Sequence, residues 1–456
     1  MKTGFRLVLL LILCSPLFAK SPNVVILFTD DQGTLDANCY GSKDLITPNI
    51  DKLAATGIRF TQGYAHTVCC PARAALLTGR HPQRGGVNHW TQGNMNAAKK
   101  GINMALEEIT LAEMLQTAGY RTALFGKWHL GAHPDFGPKK QGFDEFFGIR
   151  DGFIDNYNHY FLHGTGFHDL YEGTTPVTDK DGKYFPGLML DRSLEFLKEN
   201  KEGPFFLYVP FNIPHYPEQA LKQHEALYKD LEDPARRSYG AIMTTTDFYI
   251  GKIVDKLETL GLRDNTIILF LSDNGHSEET GNRIQVDDHK SGLQKDHFYG
   301  ASGGGFTGKW IGQKGTFLEG GIRVPMIVSY PARIAQGQTR DHIVTAMDWM
   351  PTLLDLCEIQ VSQPPKFDGH SLLPILENPD AKSQYDGVLH FQWHKHWAVR
   401  DGDWKLIGRD GNPNYALHSL ADPEPEAKNY AKEKPELVDR LKALHEAWVS
   451  EVMPKD

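Results

Sequence analysis

Two acidic pairs stand out in the chain, Asp30-Asp31 and Asp273-Asn274. Three carboxylates and one amide are hard oxygen donors, a set that suits Ca2+ or Mg2+ better than a soft transition metal. An isolated Asp-Asn-Gly reads as a turn. Two such pairs, each directly behind an apolar run, weaken that reading. The second cluster is Cys69-Cys70-Pro71-Ala72-Arg73. Pro71 is preset for a first helical turn, which puts Cys69 near a helix N-terminus, where the backbone dipole favours an anion. Arg73 follows four residues later, on the same side of that turn. Together they describe an anion site with an activated sulfur; taken alone, two adjacent cysteines would be small apolar core residues. Lys127, His129 and His215 extend the polar set.

These residues need a scaffold that gathers them. Residues 23–29 form a continuous apolar run, as expected of a strand buried on both faces of a mostly parallel sheet. Further strands are predicted over 121–125, 204–210, 266–271 and 324–330. Helices are predicted from Thr47-Pro48 to Gly57, from about Pro71 to Gly79, and from the cap Thr110 to Gly119. Alternating strands and helices imply an α/β sheet covered by helices on both faces. In such sheets ligands sit beyond the carboxyl ends of the strands. Asp30 and Asp31, Lys127 and His129, His215, and Asp273 and Asn274 each follow a predicted strand, so four strands deliver polar groups to one edge. From about residue 376 the texture changes to short strands over 388–393, 397–400 and 404–407, separated by Asp-Gly turns. A helix then carries Leu437, Val438, Leu441, Leu444 and Trp448 on one face. The expected organisation is a segment 1–19, an α/β domain over 20–375 and a smaller α+β subdomain over 376–456. The Gly- and His-rich stretch 282–308 reads as a long loop.

The chain has 456 residues, 40% hydrophobic and 23% charged, which is a globular composition. Its net charge of −9 argues against a nucleic-acid or polybasic membrane binder, without excluding an anionic substrate. Lys2 and Arg6, the apolar run 7–13 and Ala19 have the form of a secretory signal peptide. That implies an exported protein, periplasmic or secreted, with no membrane attachment after cleavage. Cys39, Cys69, Cys70 and Cys357 are too few for a disulfide-built fold.

The segment Cys69-x-Pro71-x-Arg73, followed by Leu76-x-Thr78-Gly79-Arg80, resembles the type I sulfatase signature. The resemblance spans nearly the whole chain and keeps its order. It takes in Asp30-Asp31, Thr47-Pro48-Asn49-Ile50-Asp51, Gly126-Lys127-Trp128-His129-Leu130-Gly131, Pro214-His215 and Ser272-Asp273-Asn274-Gly275. Lys314-Gly315, Glu319-Gly320-Gly321-Ile322-Arg323-Val324-Pro325 and Asp368-Gly369 follow. It implies an alkaline-phosphatase-like fold and a sulfuric ester hydrolase. It implies that Cys69 is oxidised to Cα-formylglycine by a formylglycine-generating enzyme, the hydrated aldehyde supplying the hydroxyl that attacks sulfur. It implies Ca2+, or Mg2+, on Asp30, Asp31, Asp273, Asn274 and residue 69. Arg73 and Lys127 would hold the nucleophile's oxygens, Lys127, Lys314 and His215 the sulfate. His215 would protonate the leaving oxygen, and His129 would be the base that expels sulfate.

Phosphodiesterases and phosphonate monoester hydrolases of the same superfamily are the neighbouring activity, and a non-catalytic sulfated-glycan binder is the alternative of another class. A sulfated polysaccharide or glycosaminoglycan fragment is the expected substrate. The aromatic and His-rich stretches 155–163 and 392–397 suit sugar recognition. Trp393 and Trp397 fit two roles, stacking on a pyranose or packing against their own sheet, and His394 or His396 would bond hydroxyls.

Overall fold

The computed structural model describes residues 21–92, 103–162, 167–278, 303–361, 364–383, 385 and 388–454. The expected signal peptide, His163 and most of the loop expected over 282–308 lie outside them. Fourteen strands are named in chain order: β1 Asn23–Asp30, β2 Ile58–Tyr64, β3 Arg121–Lys127, β4 Glu145–Ile149, β5 Tyr171–Glu172, β6 Thr175–Pro176, β7 Phe205–Pro214, β8 Thr266–Ser272, β9 Met326–Ser329, β10 Gln338–Thr345, β11 Val388–Trp393, β12 His396–Asp401, β13 Trp404–Arg409 and β14 Asn412–Ser419. The first ten make one sheet in the order β10-β2-β9-β8-β1-β7-β3-β4-β5-β6. The last four make a separate antiparallel sheet.

The central strands β8, β1, β7, β3 and β4 run parallel. Every residue of β1, β7 and β8 is buried, the outcome expected of uninterrupted apolar runs between two helical layers. Side-chain alternation along β1 divides the core. Val24, Ile26 and Phe28 face one layer with Leu76, Leu77 and Trp349, while Val25 and Leu27 face the other with Ile50, Phe196 and Ile250. The helices Cys69–Thr78 and Trp349–Leu356 lie on the first side. Pro48–Ala55, Phe185–Glu199 and Pro234–Thr259 lie on the second. The strand predicted over 324–330 is the shorter β9, and it runs antiparallel to both β2 and β8. The sheet is therefore mixed and mostly parallel, with the alkaline-phosphatase-like arrangement.

Helix Pro435–Val452 packs on the four-stranded sheet through Val438 and Leu441, against Trp397, Val399, Leu406 and Leu417. A buried ionic cluster ties the four-stranded sheet to the short helix Glu319–Ile322 that precedes β9. Lys405 Nζ on β13 lies 2.9 Å from Glu319 Oε1 and 2.5 Å from Glu426 Oε1, and all three side chains are buried.

Candidate active site

The carboxyl edge of the parallel strands carries the site. β1 ends at Asp30, and Asp31 follows with φ 64, a left-handed conformation that Asp tolerates better than most residues. The pairing of β1 with β7 slips between Phe28 and Asp30, so that Asp30 faces Pro214 rather than Asn212. Such irregularities bend a strand next to many active sites, and here His215 follows directly. β8 ends at Ser272, and Asp273 N–H then donates to Thr29 O at 3.2 Å. β3 ends at Lys127, and His129 beyond it also has a positive φ of 54. Two non-glycine residues in this region at one sheet edge place backbone strain at the site.

Cys69 is the first residue of the ten-residue helix that ends at Thr78, with Gly79 at φ 66 as its left-handed stop. The helix thus starts two residues before Pro71. Cys69 Sγ lies 3.3 Å from Asp30 Oδ1. Lys127 Nζ donates to Asp30 Oδ2 at 2.6 Å. Arg73 donates to Asp273 Oδ2 at 2.8 Å and to the Lys127 carbonyl at 3.1 Å. Lys314 Nζ donates to Asp31 Oδ2 at 2.8 Å, and His215 Nε2 lies 3.5 Å from the same oxygen. Asn274 Nδ2 donates to Asp31 Oδ1 at 2.6 Å. The sequence thus brings Asp30, Asp31, Cys69, Arg73, Lys127, His215, Asp273, Asn274 and Lys314 into one cluster. Lys314 reaches it from a loop, held where Gly315 N–H donates to Thr67 O at 2.8 Å.

Burial and mutual charge set the protonation of these groups. Burial raises the Asp30 carboxyl, but Lys127, His215, Arg73 and Lys314 outweigh it and hold the group well below its usual range. Burial pushes Asp31 up against the pull of Lys314, and burial together with Asp30 pushes Asp273 up to about 7. Burial raises the Cys69 thiol, with Asp30 adding to it. Burial lowers His129, helped by Lys127 and Arg73, and lowers His215, helped by Lys314. The buried carboxylates repel one another, Asp30 raising both Asp31 and Asp273, which is the condition a cation relieves.

The residues present fit such a cation. One donor atom from each of Asp30, Asp31, Cys69 and His215 lies within 4.8 Å of the others. The amide oxygen of Asn274, on a wholly buried side chain, has no hydrogen-bond partner among the described residues. An orphaned buried acceptor beside three carboxylates is the acceptor that a hard cation completes. Gly275 lets the Asp273-Asn274 turn close on its neighbour: a Cβ there would lie 1.8 Å from the Gly320 carbonyl oxygen.

A cavity of about 420 Å³ opens on the cluster, lined by Cys69, His129, His215 and Lys314. Its walls are residues the motifs did not single out: Trp90, Gln92, Phe153 and Tyr216. The Trp90 ring stacks on His129 with centroids 6.1 Å apart, and Trp393 meets Trp90 edge-on at 5.2 Å. The C-terminal sheet therefore reaches the pocket wall through Trp393. His394 does not line the cavity. It lies half-buried beside Trp393, its Nδ1 2.8 Å from His89 Nδ1. Trp397 takes the packing role of the two open to it. It is buried and stacks on His445 at 4.0 Å, because β12 turns it toward helix Pro435–Val452. The stretch expected over 155–163 is largely internal: Asp155, Asn156 and His159 are buried, and it is Phe153, just before them, that faces the pocket and stacks on His215.

Comparison with known proteins agrees with this geometry. The family model described as Sulfatase matches residues 22–359, and that of the N-sulphoglucosamine sulphohydrolase C-terminal region matches 309–450. Arylsulfatase J of Mus musculus is 31% identical over 425 residues, covering 87% of this chain and 65% of its own. N-acetylgalactosamine-6-sulfatase of Rattus norvegicus is 34% identical over 375 residues, covering 78% and 66%. The chain thus spans just under two thirds of the length of these relatives. Among solved structures, Ps i-CgsB in complex with k-i-k-neocarrahexaose superposes with a TM-score of 0.79 at 28% identity, covering 94% of this chain and 93% of that one. With its signature residues gathered at one sheet edge and the family model matched over most of its length, the chain belongs to the sulfatase family.

Proposed function

We propose that the protein is an exported, Ca2+-dependent sulfatase that hydrolyses a sulfate ester on a carbohydrate, with Cys69 matured to formylglycine by a formylglycine-generating enzyme. The observation that carries this reading is the position of Cys69. It sits buried at a helix N-terminus, 3.3 Å from Asp30 and in the same cavity as His129, His215 and Lys314. The sulfur of the unmodified Cys69 marks the place that the oxygens of the modified side chain take in the mature enzyme. When bound, Ca2+ supplies Lewis acidity to a sulfate oxygen and lowers the pKa of a neighbouring hydroxyl.

The chain's own residues do the rest. Asp30, Asp31 and Asp273 are matched by Lys127, Lys314 and Arg73, three acids against three bases. A divalent cation adds two positive charges to that balance, of which a bound sulfate ester offsets one and the sulfate dianion it releases offsets both. Arg73 is fixed by Asp273 and the Lys127 carbonyl, so its charge is already oriented beside residue 69. Lys314 and His215 share one acceptor, Asp31 Oδ2, and the sulfate offers both a second. His215 Nδ1 faces the Tyr216 carbonyl at 2.6 Å, which places the hydrogen of the neutral ring there, so the ring serves as the acid at the leaving oxygen once Nε2, beside Asp31, has taken up a second proton. Both ring nitrogens of His129 lack a hydrogen-bond partner among the described residues, and burial, helped by Lys127 and Arg73, keeps the ring neutral, the state a base requires. Trp90 and Phe153 cover the two imidazoles and exclude water from them.

The cavity has room for a sugar unit, and Trp393 of the subdomain proposed over 376–456 backs its Trp90 wall, with His394 beside Trp393 outside the lining. N-acetylgalactosamine-6-sulfatase and the k-i-k-neocarrahexaose complex among the similar proteins support a carbohydrate substrate. Export rests on the leader read in residues 1–19; no helix among the described residues is long and apolar enough to cross a membrane. The test is to compare kcat/KM of the matured protein on matched sulfate, phosphate and phosphonate monoesters, before and after chelation. The proposal requires a preference for sulfate that chelation abolishes and Ca2+ restores. A preference for the phosphorus esters would favour the neighbouring hydrolases, and no turnover would favour a binding protein.

A further inference from the structure

Behind the Phe153 wall, and separate from the Asp30 cluster, two histidines and a carboxylate converge. We infer that His159, His168 and Asp181 form a second metal site, for a borderline divalent cation of the zinc class, which braces the pocket wall that carries Phe153. One donor atom from each of the three residues lies within 4.8 Å of the other two. Ligands about 2.0–2.1 Å from a tetrahedral ion stand about 3.3–3.5 Å apart, and His168 Nε2 already lies 3.5 Å from Asp181 Oδ1.

The donors are set up for this role. His159 is wholly buried, and its Nε2 lies 3.0 Å from the Lys183 carbonyl. An N–H donated there leaves the lone pair on Nδ1, which has no partner among the described residues. A ligand histidine characteristically spends its other ring N–H on a backbone carbonyl in this way. His168 Nδ1 makes no hydrogen bond among the described residues, its Nε2 faces only Asp181, and its ring meets that of His159 edge-on at 5.8 Å. Two imidazoles and one carboxylate favour zinc-class ions over Ca2+, which prefers an all-oxygen shell. Asp181 is exposed, so the fourth position opens to water.

The backbone holds the three residues in place without an ion. The Asp155 carboxylate accepts the Tyr157 and Asn158 N–H groups at 3.2 and 3.0 Å, and His159 N–H donates to Asp155 O at 2.9 Å. His159 O in turn accepts the Asp169 N–H at 2.8 Å, and Tyr160 bridges to His168. Gly182 N–H donates to Tyr157 O at 2.8 Å, which fixes the turn carrying Asp181. The same hairpin pairs Ile154 with Phe161, and Phe153 packs on Phe161 at 5.1 Å and on His215 at 5.2 Å. An ion at its far end would clamp the strand pair that shapes this wall.

The test uses the untagged protein held in saturating Ca2+ and freed of transition metals, then titrated with Zn2+ and, as a spectroscopic probe, Co2+. Wild type should bind one Zn2+ that Ca2+ does not displace. Co2+ in the same site should give the visible absorption of a low-coordinate ion. His168→Gln and Asp181→Asn should each weaken Zn2+ binding by about tenfold or more; Asp181 is exposed, so its variant keeps the fold, as circular dichroism will verify. Zn2+ should also slow hydrogen exchange over 153–161 in wild type alone. No bound Zn2+ in wild type, or equal affinity in wild type and both variants, overturns the site. Binding that leaves exchange over 153–161 unchanged overturns its bracing role.

Discussion

Replacing Lys405 with Met isolates the contact that ties the four-stranded sheet to the short helix Glu319–Ile322. Lys405 is wholly buried and pairs with Glu319 at 2.9 Å and Glu426 at 2.5 Å. Burial alone would raise the Glu319 carboxyl. Lys405 first, then Arg323 and Arg400, overcome it and bring the group from 4.5 down to about 2. A carboxyl lowered on folding stabilises the protein above its unfolded pKa, and that stability is lost as pH falls through the folded value. A shift of this size is worth about 3 kcal/mol at neutral pH. Met fills the volume without the charge and removes the ammonium from two buried carboxylates, leaving Glu319 with Arg323 and Glu426 without a cation on its Oε1, a loss of about 3–5 kcal/mol. Urea unfolding at pH 7, followed by circular dichroism, should show a loss in that range for Lys405→Met. The difference from wild type should then narrow as pH falls from about 5 toward 2, where protonated Glu319 no longer needs the ammonium. A loss below about 1 kcal/mol at pH 7, the value of an exposed pair, or a difference that does not change with pH, would refute this reasoning.

Three further substitutions probe the site. Cys69→Ala should abolish sulfate release with the fold intact, while Cys70→Ala, whose Sγ lies 3.6 Å from the His89 carbonyl, should keep most activity; equal losses in sulfate-release assays would contradict the assignment of Cys69. Gly275→Ala, with its Cβ 1.8 Å from the Gly320 carbonyl oxygen, should destabilise the protein by about 1–3 kcal/mol and weaken Ca2+ binding, measured by thermal unfolding and calorimetry; wild-type values for both would contradict the tight packing. His394→Ala should lower kcat/KM about fivefold or more on a sulfated oligosaccharide and little on an aryl sulfate, because a lost hydrogen bond is worth roughly 1 kcal/mol; parallel losses on both substrates would place its role in the fold.

The parts of the fold that were legible in the sequence are those whose burial is uniform. β1, β7 and β8 are covered on both faces, so their apolar runs announce themselves. Parallel strands end on the same side, so the polar residues behind them had to converge. β10 escaped because it is an edge strand whose residues Gln338, Thr339 and Asp341 remain exposed. Helix Pro234–Thr259 escaped because two glycines and a Thr244-Thr245-Thr246 run obscure its period. It is held by tertiary contacts, among them Asp247, whose carboxylate accepts the Ile50 N–H at 2.8 Å and so caps the Pro48–Ala55 helix from a distance. The site's chemistry was legible as motifs, but its walls were not. Trp90 and Phe153 reach the pocket from loops, and Trp393 meets Trp90 from the end of β11, placements that no local pattern encodes. Trp397 shows the same limit from the other side, since only the pairing of β12 reveals which face it takes.

The central claim is that residue 69, and not its neighbour, supplies the nucleophile. Mass spectrometry of the peptide containing Cys69 and Cys70, taken from active protein produced with a formylglycine-generating enzyme, tests it most directly. The account predicts an aldehyde at position 69 and an unmodified thiol at position 70. A free thiol at 69 in fully active protein would contradict it.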